Sequence, residues 1–142
     1  MKSIILSILL SFGFIFVSCN GSSSGGEVVT PGIEDAYIID AALCTSIENN
    51  LPSGITNYFF TGERVNLWVN WGNIIKGQKV KAEWYKPNNE KQAEYTVAFQ
   101  SNAERQISIN YLDLSSFADK GEWLVRLYID SRFMRSYRFT VN

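Results

Sequence analysis

The sequence predicts an all-β domain, an antiparallel β-sandwich of about seven strands between residues 35 and 142. Three observations point there. Apolar residues recur at every second position in short runs, the period of a half-buried strand. Turn residues divide those runs at short intervals, and no stretch longer than a turn or two carries helical periodicity. Aromatic residues make up 14% of the chain, and such side chains pack well on a pleated surface.

In chain order, Ala36–Ile47 is the first apolar run. The turn Leu51-Pro52-Ser53-Gly54 follows it, and then Asn57–Phe60. Glu63–Trp71 alternates strictly, with Val65, Leu67, Val69 and Trp71 on one side and Asn66, Trp68 and Asn70 on the other. Gly72-Asn73 and Lys76-Gly77 bracket a loop. Val80, Ala82 and Trp84 make the next inner row, which ends at Pro87-Asn88-Asn89. Ala93, Tyr95, Val97 and Phe99 are expected to form another inner row, and Ile107, Ile109 and Tyr111 one more. Leu112–Lys120 has room for one helical turn capped by Asp113 or Ser115.

Glu122–Asp130 and Phe133–Val141 close the chain as a hairpin. Its inner rows should be Trp123, Val125, Leu127 and Ile129 against Tyr137, Phe139 and Val141. Opposed residues share a face, so odd must meet odd. That parity excludes a plain two-residue loop and requires a three- or five-residue connection or a bulge.

Within this pattern, Asp119-Lys120-Gly121-Glu122-Trp123-Leu124-Val125 resembles the immunoglobulin-type segment that opens strand F. Trp123 stands where that family has the tyrosine of its corner, and Val125 where it has the second cysteine. Trp84 takes the place of the strand-C tryptophan, and Val69 or Leu67 that of the first cysteine on strand B. The resemblance implies an Ig-like or fibronectin-III-like sandwich whose bridge is replaced by an aliphatic contact beside Trp84. An indole offers an N–H in place of a hydroxyl, which leaves the corner hydrogen bond in question. A small lipocalin-like barrel is the alternative architecture.

The first 19 residues have a different logic. Met1-Lys2 precedes Ile4–Val17, which is 14 residues without a charge, and small Ser18 stands before Cys19. A basic start, an apolar middle and a small-residue cleavage region make an export signal. The run is short for a ~30 Å hydrocarbon core, which takes about 20 apolar residues. An ordinary secretory signal cleaved near residue 18 or 21 is one reading. The segment also resembles the signal of bacterial lipoproteins, whose lipobox ends in a small residue and a cysteine; Phe16 stands where leucine is usual.

That resemblance implies a signal peptide over 1–18 and lipidation of Cys19 by a diacylglyceryl thioether and an N-acyl chain. It also implies a membrane partner held through the lipid anchor at the bacterial cell envelope. Asn20 after the cysteine implies the outer membrane in a Gram-negative cell. Residues 19–34 are rich in glycine and serine and read as a flexible tether. At ~5–6 Å × √n, such a chain holds the domain on the order of 20 Å from the bilayer.

Removing 18 signal residues from 142 leaves 124, one domain's worth, with 12 basic and 14 acidic side chains. A nearly neutral chain without a clustered basic surface argues against nucleic acid. The charge is uneven. Gly21 to Glu63 holds six acids and no base, whereas Lys120 to Asn142 holds five bases and two acids. If Cys19 is lipidated, Cys44 has no disulfide partner, and with no basic residue near it in sequence it reads as a buried, inert thiol.

The absence of histidine removes His-based triads, Cys–His dyads and the commonest transition-metal ligand. Asp113, Asp119 and Glu122 lie close in sequence, but no Asp-x-Asp-x-Asp-Gly calcium loop is present. No phosphate-binding glycine loop occurs either. No catalytic residue, metal site or cofactor is expected, and the chain reads as a non-catalytic binding module.

The expected binding face is the outward side of strands C, F and G. It would carry Lys81, Glu83 and Tyr85, then Leu124, Arg126 and Tyr128, then Met134, Ser136 and Arg138. Arg126 and Arg138 would lie near each other with Glu83 between them. The candidate contacts for a protein or glycan partner are Tyr85, Arg126, Tyr128 and Arg138, with Trp68 as an outward indole on strand B. Cover from Tyr58-Phe59-Phe60 is the alternative role for that indole. A carbohydrate-binding module, or an inhibitor-like domain acting on a secreted enzyme, is the competing class.

Overall fold

A computed structural model describes residues 35–142; the signal, Cys19 and the tether lie outside the described residues. Nine strands form two sheets. They are β1 (Tyr37–Glu48), β2 (Leu51–Ile55), β3 (Tyr58–Phe59), β4 (Arg64–Ile74), β5 (Lys79–Tyr85), β6 (Lys91–Ala98), β7 (Ala103–Asp113), β8 (Gly121–Ile129) and β9 (Arg132–Val141). One sheet has the order β2-β1-β4-β7, the other β3-β9-β8-β5-β6. All pairings are antiparallel except β3 with β9. β4, β5, β8 and β9 occupy the places of strands B, C, F and G.

The count exceeds seven because two short segments pair. Asn49 and Asn50 both have positive φ (51° and 63°), the conformation of a tight hairpin turn that asparagine tolerates. The first turn therefore falls at Asn49-Asn50, and Leu51–Gly54, expected as a turn, lies in the returning strand β2. Tyr58-Phe59 adds as β3, and Phe59 is wholly buried. Among the described residues no helix forms. The expected helical turn is a single bend in which Ser115 accepts from Phe117 and Ala118.

The core lies between the sheets. Val65, Leu67, Val69 and Trp71 of β4 face Val80, Ala82 and Trp84 of β5, Val125 and Leu127 of β8, and Phe139 of β9. All of these are 2% exposed or less, and the aliphatic replacement for a disulfide sits in that cluster with Trp84. Trp123 makes the corner contact after all. Its Nε1 donates to the Asp119 carbonyl at 2.7 Å, reaching back four residues as the tyrosine hydroxyl does in the family pattern.

The closing hairpin satisfies the parity rule through a bulge. Asp130 and Ser131 form a two-residue turn with positive φ (46° and 67°), and the register slips after Leu127. Trp123 opposes Phe139 and Val125 opposes Tyr137 as expected, but beyond the slip Tyr128 opposes Phe133. Met134 consequently packs against the core, and Phe133 takes the outward place expected for Met134.

β7 reverses an expectation. Ile107, Ile109 and Tyr111 oppose Asn70, Trp68 and Asn66, so they lie on the outer face of the sheet. The inner row is Gln106, Ser108, Asn110 and Leu112, opposite Trp71, Val69, Leu67 and Val65. Within that row Ser108 is satisfied by Trp71 Nε1, which donates to its Oγ at 2.8 Å, whereas Gln106 Oε1 and both side-chain polar atoms of Asn110 are buried without a hydrogen-bond partner. Ala93, Tyr95 and Val97 do share the inner face with Trp84, Ala82 and Val80. β6 is nevertheless an edge strand that leaves Tyr95 and Val97 largely exposed, with Tyr95 stacked on Tyr111.

Cys44 is completely buried and, among the described residues, unbridged, and burial pushes its thiol pKa up. Asn66 Nδ2 donates to the carbonyls of Cys44 and Thr45 just before the β1–β2 hairpin.

Candidate binding face

The outward side of β5, β8 and β9 is organised around one carboxylate. Glu83 is 8% exposed. Lys81 Nζ donates to its Oε1 and the Tyr85 hydroxyl to its Oε2, each at 2.8 Å. Lys91 Nζ from β6 adds a weaker approach at 3.9 Å. Residues two apart on a strand share a face, so the alternation of β5 places all three of its polar side chains together. The Lys81 bond leads in holding the Glu83 pKa down to about 2. The same carboxylate pushes the Lys81 and Tyr85 pKa values up.

Aromatic rings and cations alternate around this centre. The Arg126 guanidinium lies 4.9 Å over the Tyr85 ring, and Lys81 Nζ lies 4.7 Å over the Tyr128 ring. Phe133 packs edge-on against Tyr128 at 5.7 Å. Tyr85, Arg126 and Tyr128 are thus brought together as the sequence predicts.

Two parts of the expected arrangement are not formed. Glu83 stands opposite Arg126 in register, yet its oxygens are committed to Lys81 and Tyr85. Arg138, opposite Leu124, pairs instead with Glu122. No carboxylate among the described residues pairs with Arg126, and the Arg–Glu–Arg arrangement does not exist.

Trp68 is corrected more sharply. It is outward from the core but only 5% exposed, and its Nε1 donates to the Asn50 carbonyl at 2.8 Å. The turn of the β1–β2 hairpin supplies that acceptor, where Tyr58–Phe60 was the expected cover. The ring has no open face to offer a sugar. Phe133 and Lys91 join the candidate face without being expected there. Phe133 follows from the bulge that the parity rule already required, whereas Lys91 has no local signal.

The three loop acids are dispersed. Asp113 takes a two-bond contact from Arg64 (2.6 and 3.0 Å), Asp119 lies 3.7 Å from Lys86, and Glu122 holds Arg138. Among the described residues no group of three or more potential metal ligands occurs.

The backbone is similar to an immunoglobulin-like protein from Pseudomonas aeruginosa, with a TM-score of 0.51 over 78% of this chain and all of that one. This is an immunoglobulin-like β-sandwich. Identity to that protein is 12%. A β-glucosidase from Listeria innocua contains a similar unit at a TM-score of 0.51 and 16% identity; 76% of this chain matches 16% of that enzyme. The C-terminal domain of Wzt is similar at 0.50 and 8% identity, over 75% of this chain and 73% of that one. No protein-family model and no curated protein matches the sequence. At such identities the likeness establishes the fold and leaves the ligand to the residues of this chain.

Proposed function

We propose that the protein is an exported, lipid-anchored, non-catalytic binding module that engages a protein partner at the bacterial cell envelope. The observation that carries the reading is Arg126. Its guanidinium lies 4.9 Å over the Tyr85 ring, the residue is exposed, and it has no carboxylate partner among the described residues. An arginine steadied on a ring keeps its planar fork of donors ready for an incoming carboxylate. Tyr128 and Phe133 beside it supply the aromatic contact that protein interfaces favour. The partner surface is therefore acidic, with an apolar neighbour. Sugar stacking has less support, since cations lie over the Tyr85 and Tyr128 rings and Trp68 is covered.

The anchor reading rests on Ser18-Cys19 and the apolar run before it. Mass spectrometry of the mature protein should find the amino terminus at Cys19 with two or more acyl chains. An unmodified terminus would remove the anchor from the proposal. The binding reading is tested separately, by cross-linking the full chain in intact envelopes. A specific adduct should form that falls about tenfold in Arg126→Ala and weakens with salt. Adduct formation indifferent to Arg126→Ala and to Tyr85→Ala would dismiss this face.

A further inference from the structure

The sheet of β1, β2, β4 and β7 carries part of its own chain on its outer face. The tip of the β1–β2 hairpin folds back over β4, where the Asn50 carbonyl accepts from Trp68 Nε1 at 2.8 Å. That bond fixes a wall on an otherwise open face. Between the wall and β7 runs a groove of about 550 Å³, lined by Asn50, Asn70, Arg105, Gln106, Ile107 and Ile109. Ligand sites span roughly 300–1,000 Å³, so its size suits a small ligand.

Strand alternation orders these residues along the groove. Arg105, Ile107 and Ile109 are two apart on β7 and share the outward face in one row. At ~3.3 Å per residue, that row is about 13 Å long. Asn70 stands opposite Ile107, and Trp68, which holds Asn50, stands opposite Ile109. A cation therefore comes first, followed by two steps that each combine an aliphatic floor with an asparagine.

The charge is one-sided. No carboxylate lines the groove. Glu104 precedes Arg105 and falls on the other face, while Asp40, across Asn70 on β1, accepts from the Ala41 N–H. The Arg105 side chain is exposed and makes neither an ion pair nor a hydrogen bond among the described residues. Asn70 is half-buried, and its side-chain amide makes no hydrogen bond among them either.

We infer that this groove binds a short extended peptide with a free terminal carboxylate and aliphatic side chains. Arg105 presents a planar fork that can take a carboxylate through two parallel bonds. Because that cation stands at one end of the row, the carboxylate belongs at one end of the ligand. An asparagine amide has both a donor and an acceptor, which complements a peptide unit. Ile107 and Ile109 give the ligand's side chains apolar surface to cover. Three extended residues span about 10 Å, within the length of the row. The site lies on the opposite sheet from Tyr85 and Arg126 and does not depend on the reading of that face.

Magnetic resonance titration of the isotope-labelled full chain in detergent micelles tests this with acetyl-alanyl-alanyl-leucine. Saturable shifts should appear at the side-chain amides of Asn50 and Asn70 and at the backbone amides of Ile107 and Ile109. The dissociation constant should be about 1 mM or tighter. The same tripeptide closed as its C-terminal amide should bind at least roughly tenfold more weakly, and so should acetate. Arg105→Gln should weaken the acid about tenfold and leave the amide unchanged, since both changes remove the same contact. The spectra themselves report that the variant is folded. No saturable shift up to about 10 mM would overturn the proposal. So would equal affinity for the acid and its amide, acetate binding as tightly as the tripeptide, or indifference to Arg105→Gln. Shifts confined to Tyr85, Arg126 and Tyr128 would put the peptide on the opposite sheet and overturn it as well.

Discussion

Phe139→Ala is expected to cost about 3–5 kcal/mol, the usual range for emptying a buried ring position. Phe139 joins three other aromatic residues. Phe59 meets it edge-on at 5.6 Å, Trp84 edge-on at 6.0 Å, and Trp123 in a stacked arrangement at 6.0 Å. Those partners belong to β3, β5 and β8, so one side chain on β9 ties the second sheet together and faces the first. Each such ring pair adds about 0.5–1.5 kcal/mol beyond the area it buries. Against a total stability of about 5–15 kcal/mol, the loss is a large fraction of what holds the domain. The midpoint of thermal unfolding should drop by roughly 10–30 °C. Phe117→Ala is the matched control: Phe117 is 93% exposed and its removal should stay within about 0.5 kcal/mol. Urea unfolding followed by tryptophan fluorescence measures both. Equal effects of the two variants would mean that the aromatic cluster contributes little to stability.

The parts of the fold legible in the sequence are those where one face of a strand decides its fate. β4 and β8 read correctly because their inner rows are unbroken and apolar. The hairpin parity implied a bulge because a strand's side chains alternate without exception, and the bulge at Met134 is its consequence. β7 inverts its expected faces for the same reason. Ile107, Ile109 and Tyr111 are its apolar row, yet they lie outside, and the inner row is Gln106, Ser108, Asn110 and Leu112, of which Ser108 accepts from Trp71. Apolar alternation gives the period of a strand; which side meets the core depends on partners far away in sequence.

The candidate face of β5, β8 and β9 is legible to the same depth. Register put Glu83 opposite Arg126, but Lys81 and Tyr85, two residues away on the same strand, took its oxygens. Competition among several donors for one acid is settled by side-chain reach, which a sequence does not encode locally. Trp68 shows the complementary case. Its outward direction follows from alternation, while its cover comes from a hairpin turn 18 residues earlier.

Glu83→Gln is the second large effect, and it should appear as a change in pH dependence. Gln keeps the shape, and its Oε1 can still accept from Lys81, while its amide nitrogen donates to the Tyr85 hydroxyl where Glu83 Oε2 accepts, so the charge is removed and one bond is reversed. The Glu83 carboxyl is held at about 2 in the fold against an ordinary value of 4.5, chiefly by the Lys81 bond. Because the folded value is depressed, the contribution to stability is complete above the ordinary value. It is lost as pH falls from 4.5 towards about 2. A shift of this size corresponds to about 3 kcal/mol, and screening at the partly exposed Lys81 reduces it to about 1–2 kcal/mol. At pH 7 the variant should therefore be less stable than the native protein by about 1–2 kcal/mol, a fall of roughly 5–10 °C in unfolding midpoint. By pH 3 more than half of that difference should have gone, since the native carboxylate is then losing its advantage over the unfolded one. Urea unfolding of both proteins at pH 7, 5 and 3 gives the comparison. Parallel stability curves at all three values would show that the carboxylate, though buried and bonded to two donors, is not held by its charge. Arg126 would then be as free to swing towards Glu83 as to remain over Tyr85, and the open guanidinium on which the binding face depends would lose its physical basis.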